Sequence, residues 1–261
     1  MAQLADRHEL YEQSVQDVVQ EIDFLDETFR GLRARDALSL REDFCGTANA
    51  ACAWVASRTN RTAVGVDFDG GVLQWGRERH VAALSGEEQM RLTLLQEDVR
   101  SADTQPVDLL VAFNFSYWTF KTRGELLRYF EAARAALVDD GVFMLDCFGG
   151  SDAFTETEEE TEHDKFTYIW DQASYDPVTG AYVCHIHFEF PDGSKLRKAF
   201  TYHWRLWTLP EIRELLEEAG FRKSTVYWQG TDEDGDGDGT FNPVERGDAD
   251  PAWIAYVAAE K

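Results

Sequence analysis

Residues 37–67 read ALSLREDFCGTANAACAWVASRTNRTAVGVD. Residues 37–44 are read as a buried strand. Gly46 marks a tight turn, and 49–56, with small Ala50, Ala51 and Ala53, predicts a helix able to lie close on a sheet. Residues 63–66 predict a second strand, with Asp67 at its tip. A strand, a turn that opens a helix, and an acid ending the next strand form the layout of a nucleoside-binding βαβ unit. Asp67 follows Gly46 at about the twenty-residue interval of a ribose-binding acid.

Working outward, strands and helices keep alternating. A helix is predicted over 68–84 with Asp69 as its N-cap. Strands follow at 91–95 and 108–113, then a periodic helix at 122–137, a turn at 139–141 and a fifth strand at 142–148. This alternation predicts right-handed crossovers and a parallel sheet. Upstream, Tyr11, Val15, Val18, Ile22, Leu25, Phe29 and Leu32 recur at helical spacing, predicting one amphipathic helix or two short ones over 10–32. Downstream of Gly150 the acidic run 151–164 reads as a solvated loop or loose helix. Residues 166–170, 181–190 and 196–204 alternate with period two, which predicts an antiparallel meander. A helix at 208–219, with Pro210 in its first turn and Gly220 beyond its end, precedes two final strands at 226–229 and 253–259, expected as a hairpin around a long loop. The expected division is an N-terminal helical cover (1–36), an α/β core (37–150 and 207–261) and an inserted antiparallel lobe (151–206).

Hydrophobic residues make up 44% of the 261 and aromatics 13%, enough for a packed core. The net charge of −24, from 49 acids against 25 bases, works against compaction unless it is screened. It is read as an acidic, salt-adapted (halophilic) surface. It also argues against gripping a nucleic-acid backbone, which needs a basic track. Cys45, Cys52, Cys147 and Cys184 form no C-x-x-C pair, and no stretch has a signal-peptide or membrane-spanning pattern. A reduced, cytoplasmic protein is expected, with no membrane partner.

The segment Leu40-Arg41-Glu42-Asp43-Phe44-Cys45-Gly46-Thr47-Ala48 resembles the E/D-x-G-C-G-T-G signature of class I S-adenosylmethionine (SAM)-dependent methyltransferases. Cys45-Gly46-Thr47 matches letter for letter, while Phe44 and Ala48 stand where the family has glycine. The closing helix ends E-E-A-G-F (217–221), as in the family. The resemblance implies a Rossmann-like seven-stranded mixed sheet of order 3-2-1-4-5-7-6, with the seventh strand antiparallel. It implies SAM lying across the strand tips and S-adenosylhomocysteine as product. By the same resemblance, the turn Phe44, Cys45, Gly46 and Thr47 holds the cofactor, and Glu42 meets the methionine amino group. Asp67 binds the ribose hydroxyls, and Phe68 covers one adenine face. Asp98 meets the adenine amino group, with Val99 against the ring. Asn114 and Phe115 face the methionyl part, and Tyr11 and Gln16 lie over the cofactor from the N-terminal helix.

The acceptor side is read from residue types. Tyr117 and Trp118 follow the fourth strand, where the family places its acceptor, and His203 is a candidate proton acceptor. Tyr117 and His203 are therefore the candidate catalytic residues. His185 and His187 are two apart on one strand face, but no third ligand stands at a suitable spacing, so no metal is expected. Asp232, Asp234 and Asp236 open like a calcium loop, yet Pro243 occupies the position where a bidentate Glu belongs. The expected function is transfer of a methyl group from SAM to a small-molecule acceptor. The alternatives are an NAD-type oxidoreductase, against which the missing turn glycines argue, and a catalytically silent SAM-binding protein. The oligomeric state is not legible.

Overall fold

The computed structural model describes residues 1–231 and 237–261. Two N-terminal helices, α1 (Arg7–Val15) and α2 (Val18–Arg33), are separated by Asp17, whose carboxylate accepts the Gln20 N–H and starts α2. There follow β1 (Ser39–Asp43), α3 (Asn49–Ser57), β2 (Thr62–Asp67), α4 (Gly70–Arg79), a short α5 (Gly86–Gln89), β3 (Leu92–Gln96), β4 (Val107–Ala112), α6 (Arg123–Ala135) and β5 (Leu137–Gly149). Asp69 caps α4 through the Gly71 and Val72 N–H groups, as its sequence position predicts. Capping boxes open α6 (Thr122 with Glu125) and, later, α7 (Leu209–Glu218; Thr208 with Glu211).

β1, β2, β3, β4 and β5 pair in parallel in the order β3-β2-β1-β4-β5. β12 (Trp253–Glu260) runs antiparallel beside β5, and β10 (Lys223–Thr231) runs antiparallel beside β12. This is the 3-2-1-4-5-7-6 order with one addition. An eighth strand, β11 (Gly237–Val244), pairs antiparallel with β10 at the sheet edge. Its residues are mostly exposed and carry no alternating apolar pattern, so the sequence reads as loop. The predicted turn at 139–141 lies inside β5, where pairing with β4 shifts register rather than breaking.

Between β5 and α7, a separate four-stranded antiparallel sheet is formed by β6 (Thr157–His163), β7 (Phe166–Tyr175), β8 (Ala181–Glu189) and β9 (Lys195–Arg205). β6 corrects the reading of 151–164 as loop or loose helix. It is an edge strand with exposed Glu158, Glu159 and Glu160, held by backbone pairing to β7, so no hydrophobic alternation marks it.

One core cluster lies under α6 and α7 and extends to Tyr182, Cys184 and Trp204 of the second sheet. The opposite face is covered by α2 and α3 through Leu25, Phe29, Trp54 and Val55. A third cluster packs Leu10 of α1 on Phe166, Ile186 and Phe188, fixing the N-terminal helix to the second sheet. Among the described residues, no helix is long and apolar enough to cross a membrane.

Candidate cofactor and acceptor site

The parallel registers bring the C-terminal tips of β1, β2 and β4 to one edge, with Glu42 opposite Gly65 on one side and Val111 on the other. Across these tips lies a cavity of about 320 Å³, with the 42–47 turn, Asp67 and Asn114 on its floor and Tyr11, Gln16 and Glu21 above.

The turn is left-handed at every second residue: φ is 57° at Phe44, 54° at Gly46 and 59° at Ala48. This accounts for glycine at all three positions in the signature that the segment resembles. At Phe44 and Ala48 the conformation costs roughly 1–2 kcal/mol each for an L-residue with a side chain. The Phe44 ring offsets part of this by packing on Phe120 and Tyr129, with centroids 5.9 and 5.5 Å away. Behind the turn, a Cβ on Gly76 would sit 2.1 Å from the Thr47 carbonyl oxygen, so only glycine lets α4 approach this closely.

Asp67 holds the turn from below. Its Oδ2 accepts the Gly46 N–H at 2.8 Å and its Oδ1 accepts the Asp69 N–H at 2.8 Å. Burial nevertheless moves its carboxyl above the usual range. Glu42 accepts the Ala51 N–H at 2.9 Å through Oε2. Burial first, then repulsion from Glu21, Asp67 and Asp43, pushes it up to about 8. Glu21 of α2 reaches the same cavity, is pushed up to about 7 by burial, and makes no side-chain hydrogen bond or ion pair among the described residues. Asp43, next along β1 and also on the cavity wall, pairs with buried Arg41 at 2.7 Å. Arg41 also donates to the Val99 carbonyl at 2.7 Å, tying the loop after β3 to β1.

The N-terminal cover reaches the turn through polar contacts. Glu12 Oε1 accepts from Thr47 Oγ1 at 2.5 Å and lies 2.7 Å from His80 Nε2, while Gln16 accepts from Asn49 at 3.2 Å. On the other side of Asp67, Phe68 is 79% exposed and Val99 is buried. Asp98 is not free: its carboxylate pairs with Arg100 at 2.5 Å, which holds it below its ordinary value.

A second cavity of about 450 Å³ adjoins the first, sharing Tyr11, Asn114 and Tyr202 with it. Its walls are aromatic. Trp170, Tyr202 and Trp204 come from the antiparallel sheet, and Phe115, Phe148 and Trp253 from the Rossmann-like side. Tyr202 and Trp204 stack at 4.4 Å, and Phe115 meets Phe148 edge-on at 4.7 Å. No Lys, Arg or His stands among its described lining residues. Between the cavities, Asn114 and Phe115 are both left-handed, with φ of 56° and 57°. Their N–H groups donate to Asp146 Oδ2 at 2.6 Å and Oδ1 at 2.9 Å, and burial pushes the Asp146 carboxyl up to about 7.

The structure thus brings Tyr11, Glu42, Phe44, Cys45, Gly46, Thr47, Asp67 and Asn114 to the first cavity. Phe115 stands at the second cavity, and Phe68, Asp98 and Val99 at a neighbouring opening that also reaches Phe44 and Asp67. Two expectations need correction. Tyr117 is fully buried beneath the site, and its hydroxyl donates to the Asp146 carbonyl at 2.7 Å; Trp118 is buried with it, and neither lines either cavity. His203 is exposed on the face of β9 opposite Tyr202 and Trp204, because successive strand residues point to opposite faces. His187 lies on that outer face with Asp171 and Glu158, their ligand atoms within 4.8 Å of one another. Its Nδ1 accepts the Lys198 N–H at 2.6 Å, which leaves the proton on Nε2, directed at Asp171 3.1 Å away. That tautomer blocks the nitrogen a metal would need. The calcium-loop reading falls on residues 232–236, outside the described residues.

Glu12, Glu21, Arg41 and Asp146 are absent from the sequence reading of the site. Two carried a signal: Glu21 falls on the apolar stripe of α2 between Val18 and Leu25, and Asp146 interrupts the apolar run of β5.

No family model and no curated protein matches the sequence. Solved structures do match the fold. A SAM-dependent methyltransferase from Clostridium acetobutylicum superimposes with a TM-score of 0.69 at 16% identity over 96% of each chain. DesVI from Streptomyces venezuelae gives 0.67 at 17% identity, over 96% of this chain and 98% of that one. CalS10 from Micromonospora echinaspora, an amino pentose methyltransferase solved with SAM bound, gives 0.65 at 16% identity over 95% of each. The fold of this chain is therefore that of the class I SAM-dependent methyltransferases, carried through the inserted antiparallel sheet as well as the core.

Proposed function

We propose that this protein is a SAM-dependent methyltransferase acting on a small-molecule acceptor. The observation that carries the reading is the first cavity itself. It spans the tips of β1, β2 and β4, and it is lined by Glu21, Glu42 and Asp67, all raised by burial and none ion-paired to a cation among the described residues. Such a site is completed by a ligand that brings both hydroxyls and positive charge, and SAM has both.

SAM would supply an activated methyl group for in-line transfer to a nucleophile. The chain's own contribution is alignment and exclusion of water. Asp67 presents its carboxylate where a ribose would lie, Phe68 offers an exposed ring beside it, and the Gly46 turn leaves room for backbone contact. Asp98 would meet an adenine amino group while still paired with Arg100. Asn114 and Phe115, held by Asp146, form the divide between the two cavities. The aromatic second cavity takes the acceptor, and its lack of basic side chains disfavours carboxylates and phosphates. The phenols of Tyr11 and Tyr202 are pushed up by burial, and the carboxylates among the described lining residues, Asp152 and Glu159, are both exposed, so the buried part of the wall offers no ready proton acceptor. A nucleophile with its own lone pair, such as an amine, suits it best. Two matching structures carry names of this kind: the amino pentose methyltransferase above and the sugar N-methyltransferase KedS8 from Streptoalloteichus, with a TM-score of 0.65 at 17% identity over 98% of this chain and 93% of that one. The acidic composition and four free thiols fit a salty, reducing interior.

Isothermal titration with SAM, S-adenosylhomocysteine and NAD in concentrated KCl tests the reading. Binding of the first two with no response to NAD is expected, and turnover of SAM with an amine panel then separates an enzyme from a silent binder. Binding of NAD alone would replace this function with an oxidoreductase.

A further inference from the structure

The methionine end of the first cavity holds two carboxylates from unrelated parts of the chain. Glu42 stands at the tip of β1 and gives one oxygen to the Ala51 N–H. Glu21 descends from α2 and has no partner among the described residues. Of the charges acting on Glu42, Glu21 repels it most, ahead of Asp67 and Asp43. Two carboxylates lining one cavity, with no ion pair to either among the described residues, are poorly placed unless a cation is supplied from outside. Among the described residues, the basic ones on the cavity wall are Arg7 and His8, both committed elsewhere: Arg7 to the Ala199 carbonyl at 3.4 Å and across the Phe200 ring, and His8 against Trp75.

We propose that Glu21 and Glu42 together clamp the α-ammonium group of the cofactor's methionine moiety, with Glu21 as a binding residue contributed by the N-terminal cover. This rests on the SAM reading above and extends it. Position supports it: Glu21 from the covering helix and Glu42 from the strand tip line one cavity, together with Tyr11, Gln16 and Asn114, while Asp67, which accepts the Gly46 N–H, is the candidate for the ribose. A three-donor ammonium can meet both carboxylates at once. Ligand binding and closure of α2 over the site would then be one event, because the charge that binds the cofactor sits on the covering helix.

The test compares two neutral-sulfur ligands that differ only in the amino-acid arm, S-adenosylhomocysteine and 5′-methylthioadenosine, titrated into the full chain. The wild type should bind S-adenosylhomocysteine at least tenfold more tightly than methylthioadenosine. Glu21→Gln should lose tenfold or more for the first and stay within twofold for the second, and Glu42→Gln should behave alike. Because Gln removes a buried charge without changing shape, Glu21→Gln should melt at or above the wild-type temperature, which separates a binding loss from misfolding. Unchanged S-adenosylhomocysteine affinity in Glu21→Gln, or an equal loss for both ligands, would overturn the clamp. A wild type that binds neither ligand would overturn the SAM reading itself.

Discussion

Asp146→Asn isolates the part of the site that joins the two cavities. In the native chain one buried carboxylate accepts the N–H groups of Asn114 and Phe115, two consecutive left-handed residues. Hydrogen bonds to a charged acceptor contribute about 1.5–3 kcal/mol each. The left-handed residues cost about 1–2 kcal/mol each when unsupported. Asparagine keeps one acceptor oxygen and turns an NH2 group toward the second N–H, so one of the two bonds is lost and the local turn weakens by roughly 2–3 kcal/mol. The opposing effect is global. Burial has moved the Asp146 carboxyl from 3.8 to about 7, which corresponds to roughly 4 kcal/mol between its protonation states. Removing that charge relieves the folded state at pH 8. The two effects are similar in size, so overall stability should change little while the 114–115 turn relaxes. The expected result is a melting temperature within a few degrees of wild type at pH 8, with S-adenosylhomocysteine affinity and acceptor kcat/KM each down about tenfold or more. Calorimetry, titration and steady-state assay read these separately. Wild-type binding and turnover in Asp146→Asn would refute this role for Asp146 in holding the 114–115 turn, as would a loss matched by unfolding.

Three further outcomes follow from the structure. Glu42 at about 8, Glu21 and Asp146 at about 7 and Asp43 at about 6 are all raised above their unfolded values. Their contribution to stability is full below about pH 4 and is lost as pH rises through 6 to 8, so the ligand-free melting temperature should fall across that window; a flat or rising profile by calorimetry would contradict these burials. Phe44→Gly relieves a left-handed residue but deletes a ring packed on Phe120 and Tyr129, and urea unfolding should show a net loss of about 1–2 kcal/mol. His203→Ala should leave kcat/KM within twofold, because the ring lies on the solvent face of β9; a hundredfold loss would restore it as the proton acceptor.

Much of this molecule is local in origin. The apolar runs of β2 and β4, the cap at Asp69 and the boxes at Thr122 and Thr208 are readable because each depends on neighbours within a few residues, and the spacing from Gly46 to Asp67 is readable because it is counted along the chain. The parallel order follows from their alternation. Residues 37–67 alone carry the turn and both of its acids. Tertiary structure decided the rest, and the reason is the same in each case. The edge strands β6 and β11 are held by backbone hydrogen bonds to a partner strand, which leave no side-chain pattern. Tyr117 and His203 have suitable chemistry, but which face of a strand or turn is covered depends on packing far away in the chain. Glu21 and Asp146 were legible only as acids on apolar stripes. That one faces a cavity and the other grips a strained turn follows from the approach of α2, β4 and β5 to a common edge, where burial turns an ordinary carboxylate into one that requires a partner.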